Sequence, residues 1–219
     1  MKKWVLLCCL LMMVSFVLYP LQDSHATPVS VGQHIKFANG PGTTNGGEFI
    51  VSDWDSGEYL LTTFCIEKNE YISYGGEFVV SDISNEARAG GIGGGSPDPI
   101  SDETAYLYHN FYWGTLEGYD HSDALANDLQ NAIWLLENEI TEYTVKSIDY
   151  VAMATNAVKD GKWSGLGDVR VINLAYPDGS PAQDQLTVAP VPEPATMLLF
   201  GTGLIGLSGL GRKRFFKRG

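Results

Sequence analysis

Cysteine is scarce in this sequence, and two of its 3 cysteines, Cys8 and Cys9, lie in an apolar segment near the N-terminus. Cys65 stands alone in the remaining chain. A single cysteine cannot form an internal disulfide, so a small fold held together by disulfides is excluded. The thiol of Cys65 is therefore expected to be buried, bonded to another molecule or reactive.

Basic residues are also few. The chain has 14 Lys and Arg against 26 Asp and Glu, which gives a formal net charge of -12. Seven of the basic residues and 25 of the acidic residues lie between residues 27 and 194. A negative field of this kind repels phosphate backbones and excludes nucleic acid as a partner. The scattered histidines and the lone cysteine lack zinc-ligand spacing, so we predict no metal and no cofactor.

Long apolar runs are confined to the two ends of the chain. The N-terminus reads MKK, continues through the apolar residues 4–18 and reaches Ser24-His25-Ala26. A short basic start, an apolar stretch and small residues three and one before a break are typical of a secretory signal peptide. We predict a signal peptide over residues 1–26, with cleavage after Ala26.

At the other end, residues 195–210 carry no charge and a basic cluster follows them. At about 1.5 Å per helical residue this run spans roughly 25 Å, slightly less than a hydrocarbon core of about 30 Å. The basic cluster should keep the end of the chain on the cytoplasmic side while the rest lies outside. We predict a C-terminal membrane helix. The cluster consists of Arg212, Lys213, Arg214, Lys217 and Arg218.

The same tail resembles a known sorting signal. Pro192, Glu193 and Pro194 precede the Gly-rich apolar run, and Arg212, Lys213 and Arg214 follow it. These parts, in this order, resemble the PEP-CTERM sorting signal of Gram-negative bacteria over residues 191–219. The resemblance implies that an exosortase-type membrane protease recognises the motif at the inner membrane and cuts near it. The protein is then expected at the cell surface or in the extracellular matrix of a biofilm.

Residues 27–190 have the size of one domain with its own core. Short β-rich runs fill residues 33–80, and strands return after Gly165. Between them we predict three helices: one capped at Ser101, one from Ser122 or Asp123 to Ile140, and one over residues 148–159. The order predicts an α+β domain, with a β-sandwich or barrel and an inserted helical block.

The stretch TTFCI contains Cys65 and is predicted to be a strand. Alternation places Thr63, Cys65 and Glu67 on one face, and Phe64 and Ile66 on the other. Because free cysteine is most often a small buried hydrophobic residue, a structural thiol is one interpretation.

A catalytic thiol is a second interpretation. A nucleophilic cysteine needs a histidine base, for which His34, His109 and His121 are available. No hydrolase signature surrounds Cys65. A cysteine hydrolase therefore remains an open alternative.

Two segments resemble the Cys-Gln thioester domain of bacterial surface adhesins. They are Phe64-Cys65-Ile66 and the run from Gln130 through Ala132, Ile133 and Trp134. The resemblance implies that the sulfur of Cys65 joins the side-chain carbonyl of Gln130, with loss of ammonia. An amine on a surface protein or polymer would then attack the bond once, so the domain would not be a turnover enzyme.

Aromatic residues accompany these two segments. Phe64, Trp113 and Trp134 are predicted to shield the bond from water, although aromatic residues at such positions also form ordinary core. The alternative from another class of protein is a non-covalent structural or binding module of the exopolysaccharide matrix, in which Cys65 is merely buried.

Overall fold

The computed structural model describes residues 28–43, 46–88 and 90–189. The predicted signal peptide over residues 1–26 and the predicted sorting segment over residues 191–219 lie outside these ranges. Within the ranges, no helix is both long enough and apolar enough to cross a membrane.

The described chain contains eight antiparallel strands. Their bounds are β1 His34–Thr43, β2 Gly46–Asp53, β3 Tyr59–Thr63, β4 Phe78–Ser84, β5 Glu86–Ala87, β6 Asp98–Pro99, β7 Val169–Ala175 and β8 Pro181–Val188. Six of them form one sheet in the order β3-β2-β1-β4-β7-β8, and β5 pairs with β6 in a small ribbon. The sequence GGEF occurs at residues 46–49, which begin β2, and at residues 75–78, which lead into β4; both strands pair with β1.

Three helices lie between β6 and β7 and form the helical block. Their bounds are α1 Asp102–Tyr112, α2 Asp123–Leu136 and α3 Val145–Lys159. The Ser101 hydroxyl accepts a hydrogen bond from the Thr104 N–H at 3.1 Å, and the Ser122 hydroxyl caps α2 in the same way. These two caps confirm the predicted starts of α1 and α2.

The other helix ends differ from the prediction. α3 begins at Val145, ahead of the predicted residue 148, because Thr144 and Ser147 form a capping box. α2 ends at Leu136 instead of Ile140, since Asn138 has a φ of +63° and leaves the helical conformation.

The layer that covers the sheet is helical. α2 packs on β1 and β2, α1 reaches β7 and β8, and α3 packs against both of the other helices. The α+β class and the inserted helical block are confirmed, but the strands do not form a closed barrel. Just beyond β3, an isolated bridge between Cys65 and Gln185 joins the chain to β8. The strands β3 and β8 themselves do not pair in the sheet.

The buried side chains form two clusters. The first lies under the helices and includes Phe64 and Ile66, whereas the second lies among the strands and includes Cys65. Phe64 and Ile66 thus lie opposite Cys65, as the alternation predicted, but β3 ends at Thr63 and does not include the whole TTFCI stretch. The polar face of the strand is not solvated, however, because Thr63 and Glu67 are also buried.

Candidate functional site

Cys65 lies where the chain leaves β3 and meets β8. The Ile66 N–H donates to the Asp184 carbonyl at 3.3 Å, and the Leu186 N–H donates to the Phe64 carbonyl at 3.1 Å. These bonds fix the backbone on both sides of the cysteine. Only 1% of Cys65 is exposed, so its thiol is part of the packed interior.

Gln130 approaches Cys65 from α2 and is fully buried. Its side-chain Oε1 accepts a hydrogen bond from the Cys65 backbone N–H at 3.3 Å. Its Nε2 donates to the Cys65 carbonyl at 2.8 Å. Because both ends of the amide are bonded to one residue, the Gln130 side chain is held in a single orientation.

The thiol itself meets the same amide. The Cys65 Sγ lies 3.4 Å from the Gln130 Oε1 and donates to it. The structure thus brings together the two residues that the sequence singled out, although 65 positions separate them along the chain. We call them the Cys65–Gln130 pair.

Gly46 covers this pair from β2. Its φ is +151°, and a Cβ at this position would lie 2.9 Å from Gln130 Cγ and 3.0 Å from Trp134 Cη2. Only glycine permits so close an approach of the backbone. Gly46 and Gly47 are the first two residues of β2, and this Gly-Gly step is the sequence feature that permits the contact.

Burial controls the chemistry of the free thiol. Burial raises the pKa of Cys65 well above its ordinary value, and the charge of Glu67 acts in the same direction. The indole N–H of Trp134 opposes both effects. The thiol is therefore neutral at physiological pH, which is the reverse of the depressed pKa that is typical of catalytic cysteines.

Glu67 is a buried acid two residues beyond the cysteine. Its Oε2 accepts a hydrogen bond from the Asp184 N–H at 3.2 Å, whereas its Oε1 has no hydrogen-bond partner within the described ranges. Burial, followed by the charges of Asp184 and Glu70, raises the pKa of Glu67 to about 9. The sequence did not indicate this group, because burial of an acid depends on β8, more than 100 residues away.

Two clefts reach the pair. Gln130 lines a cleft of about 510 Å³, the Gln130 cleft, and Cys65 lines a second cleft of about 270 Å³, the Cys65 cleft. Gly46, Lys68 and Trp134 line both. The two clefts therefore border the pair on different sides, although both of its residues are buried.

The three predicted shielding aromatics lie in different places. Trp134 is 6% exposed and shares the strand cluster with Cys65. Phe64 belongs to the helix-facing cluster, where its ring lies 4.8 Å from that of Phe111. The Trp113 indole N–H donates to Asp168 Oδ2 at 2.9 Å. Trp134 is the one of the three that lines the clefts beside the pair.

The candidate bases for a cysteine hydrolase contact carboxylates. Neither cleft beside the pair is lined by a histidine. This arrangement, together with the neutral thiol, favours another role for Cys65. The ring Nδ1 atoms of His34, His109 and His121 lie 2.5, 2.6 and 2.8 Å from carboxylate oxygens of Glu77, Asp168 and Glu48.

Metal ligands do not cluster either. Within residues 28–43, 46–88 and 90–189, no group of three or more His, Cys, Asp or Glu side chains is placed to hold a metal ion.

Comparison with known proteins identifies the tail. A family model described as the PEP-CTERM protein-sorting motif matches residues 190–214. The match contains Pro192, Glu193 and Pro194, together with the basic residues 212–214, and confirms the predicted motif. The motif supports sorting to the exterior by an exosortase, and it implies export and membrane anchoring before processing. No curated protein and no solved structure gives a match, so these comparisons do not support the resemblance of the body to thioester domains.

Proposed function

We propose that this exported protein forms an internal thioester between Cys65 and Gln130 and uses it once for covalent attachment to a primary amine. The observation that carries the proposal is the 3.4 Å contact between Cys65 Sγ and Gln130 Oε1 inside a buried site. The contact places the sulfur against the amide whose carbonyl carbon it would attack, and groups held together in one site avoid much of the entropy cost of a bimolecular reaction.

Thioester formation is a balanced exchange. The Cys65 sulfur attacks Gln130 Cδ and forms a C–S bond, while the C–N bond breaks and the nitrogen leaves as ammonia with the thiol proton. Negative charge develops on Oε1 during this step. The Cys65 backbone N–H already donates to Oε1 at 3.3 Å, so this donor is in place to stabilise the charge.

Attachment reverses the role of the sulfur. An acceptor amine attacks the thioester carbonyl and forms an isopeptide bond at Gln130, while the C–S bond breaks and Cys65 regains a proton as a thiol. Since burial strongly favours the neutral thiol, the released sulfur is expected to take up its proton at once. The site then holds no thioester and cannot react with a second amine.

The acceptor is proposed to be an amine-bearing protein or polymer outside the cell. The acidic balance of the body, 25 acidic against seven basic residues between positions 27 and 194, attracts cationic surfaces. Exosortase processing of the tail would release the protein where such acceptors occur.

A second function is favoured by the lining of the Gln130 cleft. Hydroxyl and amide groups, with an exposed tyrosine, are suited to a neutral polar ligand such as a sugar. The protein would then be a non-covalent structural or binding module of the exopolysaccharide matrix. The relevant residues are Thr43, Asn127, Asn131, Tyr143 and Thr144.

The test is a peptide map of the exported protein before and after treatment with methylamine. We expect the Cys65 and Gln130 peptides to be joined and short by one ammonia, and then separated by methylamine, which labels Gln130. Gln130→Ala should abolish both effects. Asn131 lines the same cleft, and the control variant Asn131→Ala should leave both the cross-link and the methylamine labelling unchanged. Unlinked peptides with an intact amide and thiol would contradict the thioester and favour the non-covalent module.

A further inference from the structure

Lys68 is the one lysine that lines both the Gln130 cleft and the Cys65 cleft. It lies three residues beyond Cys65 and is exposed. Its backbone N–H donates to Glu139 Oε2 at 3.0 Å, which fastens this segment to the chain just after α2. The backbone of Lys68 is therefore held in place near the Cys65–Gln130 pair.

Several other lysines in the described chain have partners for their amines. Lys36 Nζ donates to the Trp54 carbonyl at 3.1 Å, and Lys146 Nζ lies 5.0 Å from the centre of the Tyr150 ring. Within the described ranges, Lys68 Nζ forms no ion pair and no hydrogen bond. Lys68, whose amine has no such partner, thus borders both clefts beside a carbonyl that amines are proposed to attack.

We propose that Lys68 is an internal acceptor that limits the lifetime of the active site, an inference that rests on the proposed thioester. The deprotonated Lys68 amine attacks the Gln130 carbonyl and forms an isopeptide bond between Lys68 and Gln130. The C–S bond breaks, and the amine proton passes to the sulfur, which restores the Cys65 thiol. No further reactant is required.

The proposal has a regulatory consequence. A side chain that lines the same cleft has an effective concentration far above that of a dilute external amine. An acceptor must therefore arrive soon after the thioester forms, or must displace Lys68 from the clefts. A molecule that meets no acceptor ends as a self-cross-linked protein that no longer binds covalently.

The thioester and the internal isopeptide have the same mass, because both have lost one ammonia. They differ in chemistry, since methylamine opens a thioester and leaves an amide intact. They also differ in the joined residues, which are Cys65 and Gln130 in one species and Lys68 and Gln130 in the other. A peptide map therefore separates them.

The experiment uses the full chain as recovered from the exported and membrane fractions, aged at pH 8 and sampled over time. Wild type should lose its methylamine-sensitive form and accumulate peptides joined through Lys68 and Gln130. Lys68→Arg keeps the positive charge but removes the nucleophile, and should prolong the methylamine-sensitive form by about tenfold or more, given the effective concentrations of intramolecular groups. Lys146→Arg, which changes a lysine outside the clefts, should behave as wild type.

The outcomes separate the two proposals. Equal decay in wild type and Lys68→Arg, without joined Lys68 peptides, would overturn the role of Lys68 and leave the thioester intact. An absence of any ammonia loss at Gln130, in wild type and in both variants, would overturn the thioester and the internal acceptor together.

Discussion

The Nε2 of Gln130 donates to the Cys65 carbonyl at 2.8 Å, so the nitrogen that thioester formation would expel is also the nitrogen that anchors the amide. In the proposed reaction the anchor is needed only until the C–S bond forms, since that bond then holds the same two residues. Loss of the ammonia would leave the buried Cys65 carbonyl without this donor. That loss would offset part of the folding stability that the cross-link contributes.

We predict that Cys65→Ala and Gln130→Ala each lower the melting temperature, and that the double variant is no less stable than the worse single one. A bond between these residues closes a loop of about 66 residues, which by the chain-entropy relation stabilises the fold by roughly 4 kcal/mol. Either substitution removes the whole of that contribution. Thermal unfolding of the three variants measures the effect. Losses that add in the double variant would show that no bond joins the two residues.

Gly46→Ala is predicted to destabilise the protein by about 1 to 3 kcal/mol and to reduce ammonia loss at Gln130, because the added methyl meets Gln130 Cγ at 2.9 Å. Denaturant unfolding and a peptide map measure the two effects. Gly32→Ala is the control: its φ of +84° imposes backbone strain, but its Cβ would meet nothing within 4 Å. Full ammonia loss in Gly46→Ala would show that Gly46 does not position the amide.

Features that depend on neighbouring residues could be predicted from the sequence, whereas features that depend on packing between distant segments could not. The starts of α1 and α2 follow from Ser101 and Ser122, because a cap acts within one turn. The alternation around Cys65 is equally local. The contact of Gly46 with Gln130 and the burial of Glu67 against Asp184 depend on pairings between distant segments, which periodicity does not encode.

The Cys65–Gln130 contact itself was predicted from two short motifs, without a physical argument that joined them. What brings the residues together is the packing of α2 on β1 and β2, combined with the bridge from Cys65 to Gln185. Trp113 and Trp134 show that the motif does not predict which aromatic residues lie beside the pair. Both were predicted to shield the bond, but Trp134 lies on α2 beside Gln130, whereas Trp113 bonds to Asp168.

Trp134→Phe is predicted to slow the reaction with methylamine by about tenfold while leaving the melting temperature nearly unchanged. The Trp134 Nε1 is buried, and its interaction with the Cys65 thiol falls short of a hydrogen bond within the described ranges, so replacing it with a ring that has no donor costs little stability. The same N–H lowers the pKa of the Cys65 thiol and is therefore expected to stabilise the sulfur as it leaves. Reaction rates and thermal unfolding measure the two effects, and an unchanged rate would restrict Trp134 to packing.

Glu67 is predicted to make the protein less stable as the pH rises from about 5 to 9. Its pKa is about 9 in the folded chain and near the ordinary value of 4.5 in the unfolded chain. In this interval the unfolded state has released a proton that the folded state keeps, so the stabilising contribution is complete below pH 4.5 and is lost as the pH approaches 9. Burial also raises the pKa values of Asp184 and Glu70, which adds to the slope.

Glu67→Gln should reduce this decline, because an amide of nearly the same shape does not titrate. Urea unfolding at pH 5 and pH 8 measures the slope for the wild type and the variant, and Glu58→Gln, at an exposed position, is the control. We expect Glu67→Gln to gain stability relative to the wild type at pH 8 and to lose that advantage at pH 5. An equal slope in the wild type and Glu67→Gln would mean that Glu67 is ionised in the folded protein, with a solvent path to its carboxyl group beside Cys65.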